Sequence, residues 1–117
     1  MVTFDKLRKL ALSFPEAYED GHFEKTAFRV KKKIFATYDA KNKRACIKLS
    51  AIDQQVFCLH DTTIIYPVPN KWGKQGWTLI EMSTIKTALF TDAITTAYCE
   101  VAPGKLSKLV RENNNQG

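Results

Sequence analysis

Nine basic residues crowd the stretch 25–48 against one acid, Asp39: Lys25, Arg29, Lys31, Lys32, Lys33, Lys41, Lys43, Arg44 and Lys48. Cations at that density can neutralise the phosphates of a polyanion and release its counterions. Further along, the segment YPVPNKWGKQGWT (66–78) sets Trp72 and Trp77 among Lys71 and Lys74. Aromatics interleaved with lysines can stack bases while the ammonium groups meet phosphates. The candidate contacts are therefore Arg29, Lys31, Lys32, Lys33, Lys41, Lys43, Arg44, Lys48, Lys71 and Lys74, with Trp72 as the stacking residue. The plain alternative is a solvated sheet face, whose lysines guard against edge-to-edge pairing.

Other chemistry has little to stand on. The three cysteines, Cys46, Cys58 and Cys99, are widely spaced, and His22 and His60 are the only histidines. Cys58 and His60, two apart, point to different faces of a helix, and a metal site needs more ligands than this. His60, at a helix end, suits capping or a dipole contact. No nucleophile elbow and no phosphate-loop glycine pattern occurs. Cys46, flanked by Arg44 and Lys48 on one strand face, is expected to carry a lowered pKa. Glu16, Glu19, Asp20 and Glu24 form an acidic cluster that balances nearby lysines. We assign no catalytic residue, no metal and no cofactor, and expect a binding protein, not an enzyme.

These side chains need a scaffold. The chain has 117 residues, 44% hydrophobic and 26% charged, which fits one globular domain and excludes disordered and fibrous classes. Thr3 can cap a helix in which Phe4, Leu7, Leu10 and Ala11 recur at helical spacing, ended by Pro15. Tyr18–His22 reads as a short edge strand. Ala27–Val30, Ile34–Tyr38 and Arg44–Leu49 follow as a meander, the last with Ala45, Ile47 and Leu49 on one face and Arg44, Cys46 and Lys48 on the other. Ser50 and Asp53 approximate a capping box for a helix over Ala51–His60, built on Ile52, Val56 and Leu59. Ile64–Val68 and Trp77–Met82 are strands, the first at an edge because of its prolines, with Trp77 expected in the core. A wide apolar stripe from Thr87 to Val101 predicts a sheet-facing helix ended by Pro103-Gly104. Lys105–Arg111 adds a turn, and the polar tail 113–117 should fray beyond a single domain over 1–112.

The order predicts a two-layer α+β domain: an antiparallel sheet of about five strands with helices packed on one side. The expected core is Phe4, Leu7, Leu10, Phe28, Ile34, Ile47, Leu49, Val56, Leu59, Ile65, Leu79, Leu89, Ala93, Ile94 and Val101. Charge is unevenly spread on that frame. The net charge is +6; residues 1–49 hold twelve Lys/Arg against six Asp/Glu, and residues 50–117 hold six of each. The turns at 31–33 and 39–43 fall at opposite ends of one strand, roughly 17 Å apart. The basic side chains would form a stripe with a projecting tip at each end.

The sequence resembles the MmcQ/YjbR family of small bacterial proteins, described as DNA-binding proteins with a double-wing arrangement. The resemblance runs through Leu12-Ser13-Phe14-Pro15 with Glu19, Phe28-Arg29-Val30, Lys33-Ile34-Phe35-Ala36, Ile47-Lys48-Leu49 and Gly76-Trp77-Thr78. It closes on the stretch from Ala97-Tyr98 through Val101-Ala102-Pro103-Gly104-Lys105-Leu106, its most specific part together with Gly-Trp-Thr. It implies a frataxin-like or secretion-chaperone-like fold and a nucleic-acid role in which hairpin loops act as wings. The Lys31-Lys32-Lys33 turn is more basic than the family pattern, which often has a glycine there. The leading expectation is a DNA-binding protein of weak sequence preference, DNA being favoured over RNA. A protein-interaction module using the helix-backed sheet and the Trp72 loop is the alternative, and a small-molecule pocket near Tyr66 and Trp72 a third. The chain would be a monomer or weak dimer. It shows no long apolar run and no apolar leader, so membrane association is not expected and a reducing cytoplasm is.

Overall fold

The computed structural model describes residues 1–22 and 24–116, with the side chains of all of these except 22 and 113–116. Helix α1 (Phe4–Ser13) starts where Thr3 Oγ1 accepts the Lys6 amide at 3.2 Å. It stops at Phe14, because the following proline cannot continue the ladder. Six strands then make one antiparallel sheet in the order β1-β2-β3-β4-β6-β5: β1 (Tyr18–His22), β2 (Lys25–Val30), β3 (Lys33–Asp39), β4 (Arg44–Lys48), β5 (Ile65–Pro67) and β6 (Trp77–Glu81). Pro67 costs no ladder bond that matters, since β5 is an edge strand. Helices α2 (Ala51–Cys58), α3 (Lys71–Lys74), α4 (Thr87–Val101) and α5 (Gly104–Gln116) complete the chain. The expected α+β class and one-sided helical cover are present, with six strands where about five were expected.

The core lies between one sheet face and α1, α4 and α5. Ala45, Ile47 and Leu49 face inward as the alternation requires, opposite Ile80 and Thr78 of β6. Helix α4 buries Phe90, Ala93, Ile94, Ala97 and Tyr98 against β3 and β4. Tyr98 stacks on Phe14 at 4.7 Å between centroids and meets Phe35 edge-on at 5.4 Å. Its hydroxyl donates to the Pro15 carbonyl at 2.7 Å, so the largest buried side chain also satisfies its one polar atom. Leu106 and Val110 bury one side of α5, which is much longer than the single turn expected over Lys105–Arg111. Gly117, the end of the tail expected to fray, lies outside the described residues.

Four expected core residues are elsewhere. The register between β2 and β3 shifts at Phe28/Arg29, which leaves Phe35 and Ala36 both buried and sends Ile34 to the opposite face. Leu79 pairs with outward Cys46 and follows it to that face. On α2, Val56 and Leu59 are exposed, at 52% and 84%, beside Ile52 at 74%. That helix flanks the edge strand β5, where α4 already covers the centre of the sheet, and it docks through Phe57 and Gln54 instead. Phe4, Leu10, Leu89 and Val101 pack around the core without being fully buried.

Candidate nucleic-acid interface

The two hairpin tips are built differently. Lys31 and Lys32 form the two-residue β2–β3 turn with φ of 49° and 70°. A turn with both central residues in the left-handed region suits Asn-Gly, and each lysine there is held against its own Cβ sterics. The β3–β4 turn is organised by Asp39, whose Oδ1 accepts the amides of Lys41 at 3.1 Å and Asn42 at 3.3 Å. Its Oδ2 accepts Asn42 Nδ2 at 2.8 Å, and that side-chain bond foremost holds the carboxyl below its usual pKa. Lys43 closes this turn at φ 53°. The six steps of β3 separate the tips by roughly 20 Å.

The basic residues do not form one free stripe. The Arg29 guanidinium meets the Asp20 carboxylate at 3.0 Å on the neighbouring strand and donates to the Lys32 carbonyl. Lys31 pairs with Glu16 at 2.8 Å, and Arg44 with Glu81 at 2.8 Å, where Tyr66 Oη also donates. Lys48 Nζ is directed at the carbonyls of Gln75 and Leu49. Lys32, Lys33, Lys41, Lys43, Lys71 and Lys74 are exposed, and among the described residues none of the six has a carboxylate partner. The acidic cluster supplies the missing counter-charges: Glu16 and Asp20 as above, and Glu19 on Arg8 at 2.7 Å.

The outward sheet face is a groove and not a flat wet surface. Ile34, Thr37, Cys46 and Leu79 floor a cavity of about 450 Å³, with Val68, Trp72 and Trp77 beside them. Lys25, Asp39 and Arg44 line it as well, at the end near the β3–β4 tip. A second hollow of similar volume shares Ile34 and Trp77 and is edged by Arg29, Lys33, Lys48 and Glu100. Trp77, expected in the core, is thus half-buried in the groove wall. Cys46 also departs from expectation: burial dominates over the charges beside it and pushes the thiol up to about 11. It is an inert apolar contact, not an activated nucleophile. Burial likewise raises Cys58 and Cys99.

Trp72 stands on a braced support. Asn70 Oδ1 accepts the Trp72 amide at 2.8 Å and starts α3. A Cβ on Gly73 would lie 2.0 Å from the Val68 carbonyl oxygen, and one on Gly76 would lie 1.8 Å from that of Leu49. Gly76 also adopts φ +103°, so both close approach and backbone conformation require glycine. Gln54 Nε2 reaches the carbonyls of Gly73 (2.9 Å) and Trp77 (3.2 Å) and the Thr78 hydroxyl (3.1 Å). Trp72 is nonetheless 51% exposed, with Lys71 Nζ 5.8 Å from its ring centroid. Sequence reasoning missed Gln54 and Leu79; the alternation Trp77, Leu79, Glu81 was the available signal for the second.

A six-stranded antiparallel sheet with a groove on one face, helices packed on the other and a lysine-bearing hairpin tip at each end of β3 defines a two-layer α+β domain. The chain belongs to the YjbR family, whose model matches residues 12–100. Among solved structures it is similar to that of Deinococcus radiodurans protein DR2400, with its DUF419 domain: TM-score 0.75, 21% identity, 86% of this chain and 79% of that one covered. That likeness shows the fold. No curated protein matches the chain. No helix, among the described residues, is long and apolar enough to cross a membrane.

Proposed function

We propose that this protein binds nucleic acid, DNA ahead of RNA, by holding phosphates with the lysines of its two hairpin tips, and that it is not an enzyme. The observation that carries this reading is the placement of lysine at three left-handed positions, Lys31, Lys32 and Lys43, where glycine or asparagine would be cheaper. Free ammonium groups at Lys32, Lys33, Lys41 and Lys43, with Lys71 and Lys74 near the groove, supply six candidate phosphate contacts. Such contacts position a strand without reading its sequence, so sequence preference is weak. Arg29, Lys31, Arg44 and Lys48 have their charge answered within the fold and act mainly as its framework.

The test is fluorescence anisotropy with a labelled duplex two helical turns long. Six neutralised phosphates predict a roughly thousandfold loss of affinity between about 50 and 200 mM salt. Changing Lys32, Lys33, Lys41 and Lys43 to serine should weaken binding and leave a loss of only about tenfold over the same range. An unchanged slope in that variant refutes the tip reading. The exposed row Ile52, Val56 and Leu59 on α2 favours a second reading, a protein-interaction module whose simplest form is a weak dimer. Sedimentation at rising protein concentration, with Val56→Lys as control, tests it.

A further inference from the structure

We propose that the groove on the open sheet face is a stacking site for unpaired nucleobases, which makes single strands, not duplexes, the ligand of highest affinity. This deepens the phosphate-binding reading and rests on it. Three features point to such a ligand. The cavity of about 450 Å³ lies within the size range of small-ligand sites, and its floor is apolar while its ends are charged. Lys25 stands at one end, beside Asp39 and the Glu81-paired Arg44, and Lys33 edges the adjoining hollow at the other, beside Glu100 and the already engaged Arg29 and Lys48. A flat apolar ring flanked by phosphates on both sides is the complement of that arrangement, and each nucleotide of a single strand presents one.

Trp72 is the second feature. The half-exposed ring rises from backbone fixed by the Asn70 cap, the close packing of Gly73 and Gly76, and the three bonds from Gln54. Its ring is presented at little further entropic cost on binding. Third, the tips lie roughly 20 Å apart with the groove between them. A strand bridging Lys33 and Lys41 crosses the groove and can lower a base into it. In a duplex the bases are already stacked and paired, and the rod is too broad to enter.

Tryptophan emission and anisotropy, followed with a single strand of about 15 nucleotides and with the duplex, separate the two readings. The single strand should quench emission and bind more tightly than the duplex. Trp72→Ala should cost roughly tenfold or more in single-strand affinity and leave duplex affinity within twofold. Trp72→Phe should restore most of the loss, which distinguishes a stacking role from damage to the loop. If duplex and single strand bind equally and Trp72→Ala changes neither, the groove inference falls and the tip reading stands. If neither binds at low salt, both fall. A mononucleotide binding as tightly as the strand would overturn the single-strand assignment.

Discussion

Replacing Lys31 by asparagine and Lys32 by glycine should make the protein more stable and a weaker binder. Both residues occupy left-handed backbone, at φ 49° and 70°, which costs an L-residue with a long side chain about 1–2 kcal/mol each. Relief at both positions is partly offset. Glycine adds freedom to the unfolded chain, worth about 0.5–1 kcal/mol, and asparagine keeps part of the original cost. The Lys31–Glu16 pair, 2.8 Å long with both side chains more than half exposed, contributes at most a few tenths, about 0.3 kcal/mol after solvent screening. The net gain is about 1 kcal/mol, or a rise in Tm of about 4 °C for a domain this size. Urea unfolding measures it as a higher midpoint at unchanged slope. In the binding assay the same variant loses Lys32, while Lys31 was already held by Glu16, so the salt slope should fall by about 0.9 and not 1.8. A midpoint that stays or drops refutes the argument that these lysines sit at a structural cost. A slope that falls by about two contacts shows that Lys31 leaves Glu16 for the phosphate.

Gly76→Ala should destabilise the fold by about 3 kcal/mol or more, because the new Cβ would meet the Leu49 carbonyl at 1.8 Å on backbone of φ +103°; denaturant unfolding reads this directly. Tyr98→Phe leaves the Pro15 carbonyl without its donor and should cost about 1 kcal/mol with little change in packing. Cys46, with its thiol pushed up to about 11, should alkylate far more slowly at pH 8 than a free cysteine, and mass spectrometry of a timed iodoacetamide reaction would show any fast modification. Lowering the pH should loosen the β3–β4 tip. Asp39 has a depressed folded pKa, so its contribution is present above the unfolded value of 3.8 and is lost as pH falls through the folded one; amide exchange at Lys41 and Asn42 follows it.

Local rules made much of this fold legible. The Thr3 and Ser50 caps, the alternation along β4 and the stop at Pro103 each follow from a few neighbouring residues. What could not be read was what each face would meet. Alternation put Ile34 on one side of a strand, but the bulge at Phe35, in the same strand, moved it to the other. The spacing of Ile52, Val56 and Leu59 defined a helix stripe correctly, yet α4 had already taken the sheet that the stripe would cover. Ion pairing was hidden for the same reason. Asp20 and Arg29 are nine residues apart, and only the pairing of β1 with β2 brings them together. The candidate site changed most where long-range partners intervened: four of its basic residues proved to be tied down, and its wet face proved to be a groove.

The contact between Tyr98 and Pro15 joins residues 83 apart in the chain. A nascent chain leaving the ribosome therefore exposes α1 and the β1–β4 meander for several seconds before α4 exists to cover them. During that interval Phe14 and Phe35 lack the ring that later packs against both of them, and the inner face of the meander is open to other chains. The core cannot close until residues 87–101 have emerged, so the yield of soluble protein will depend on translation speed over that stretch as well as on the stability of the finished domain.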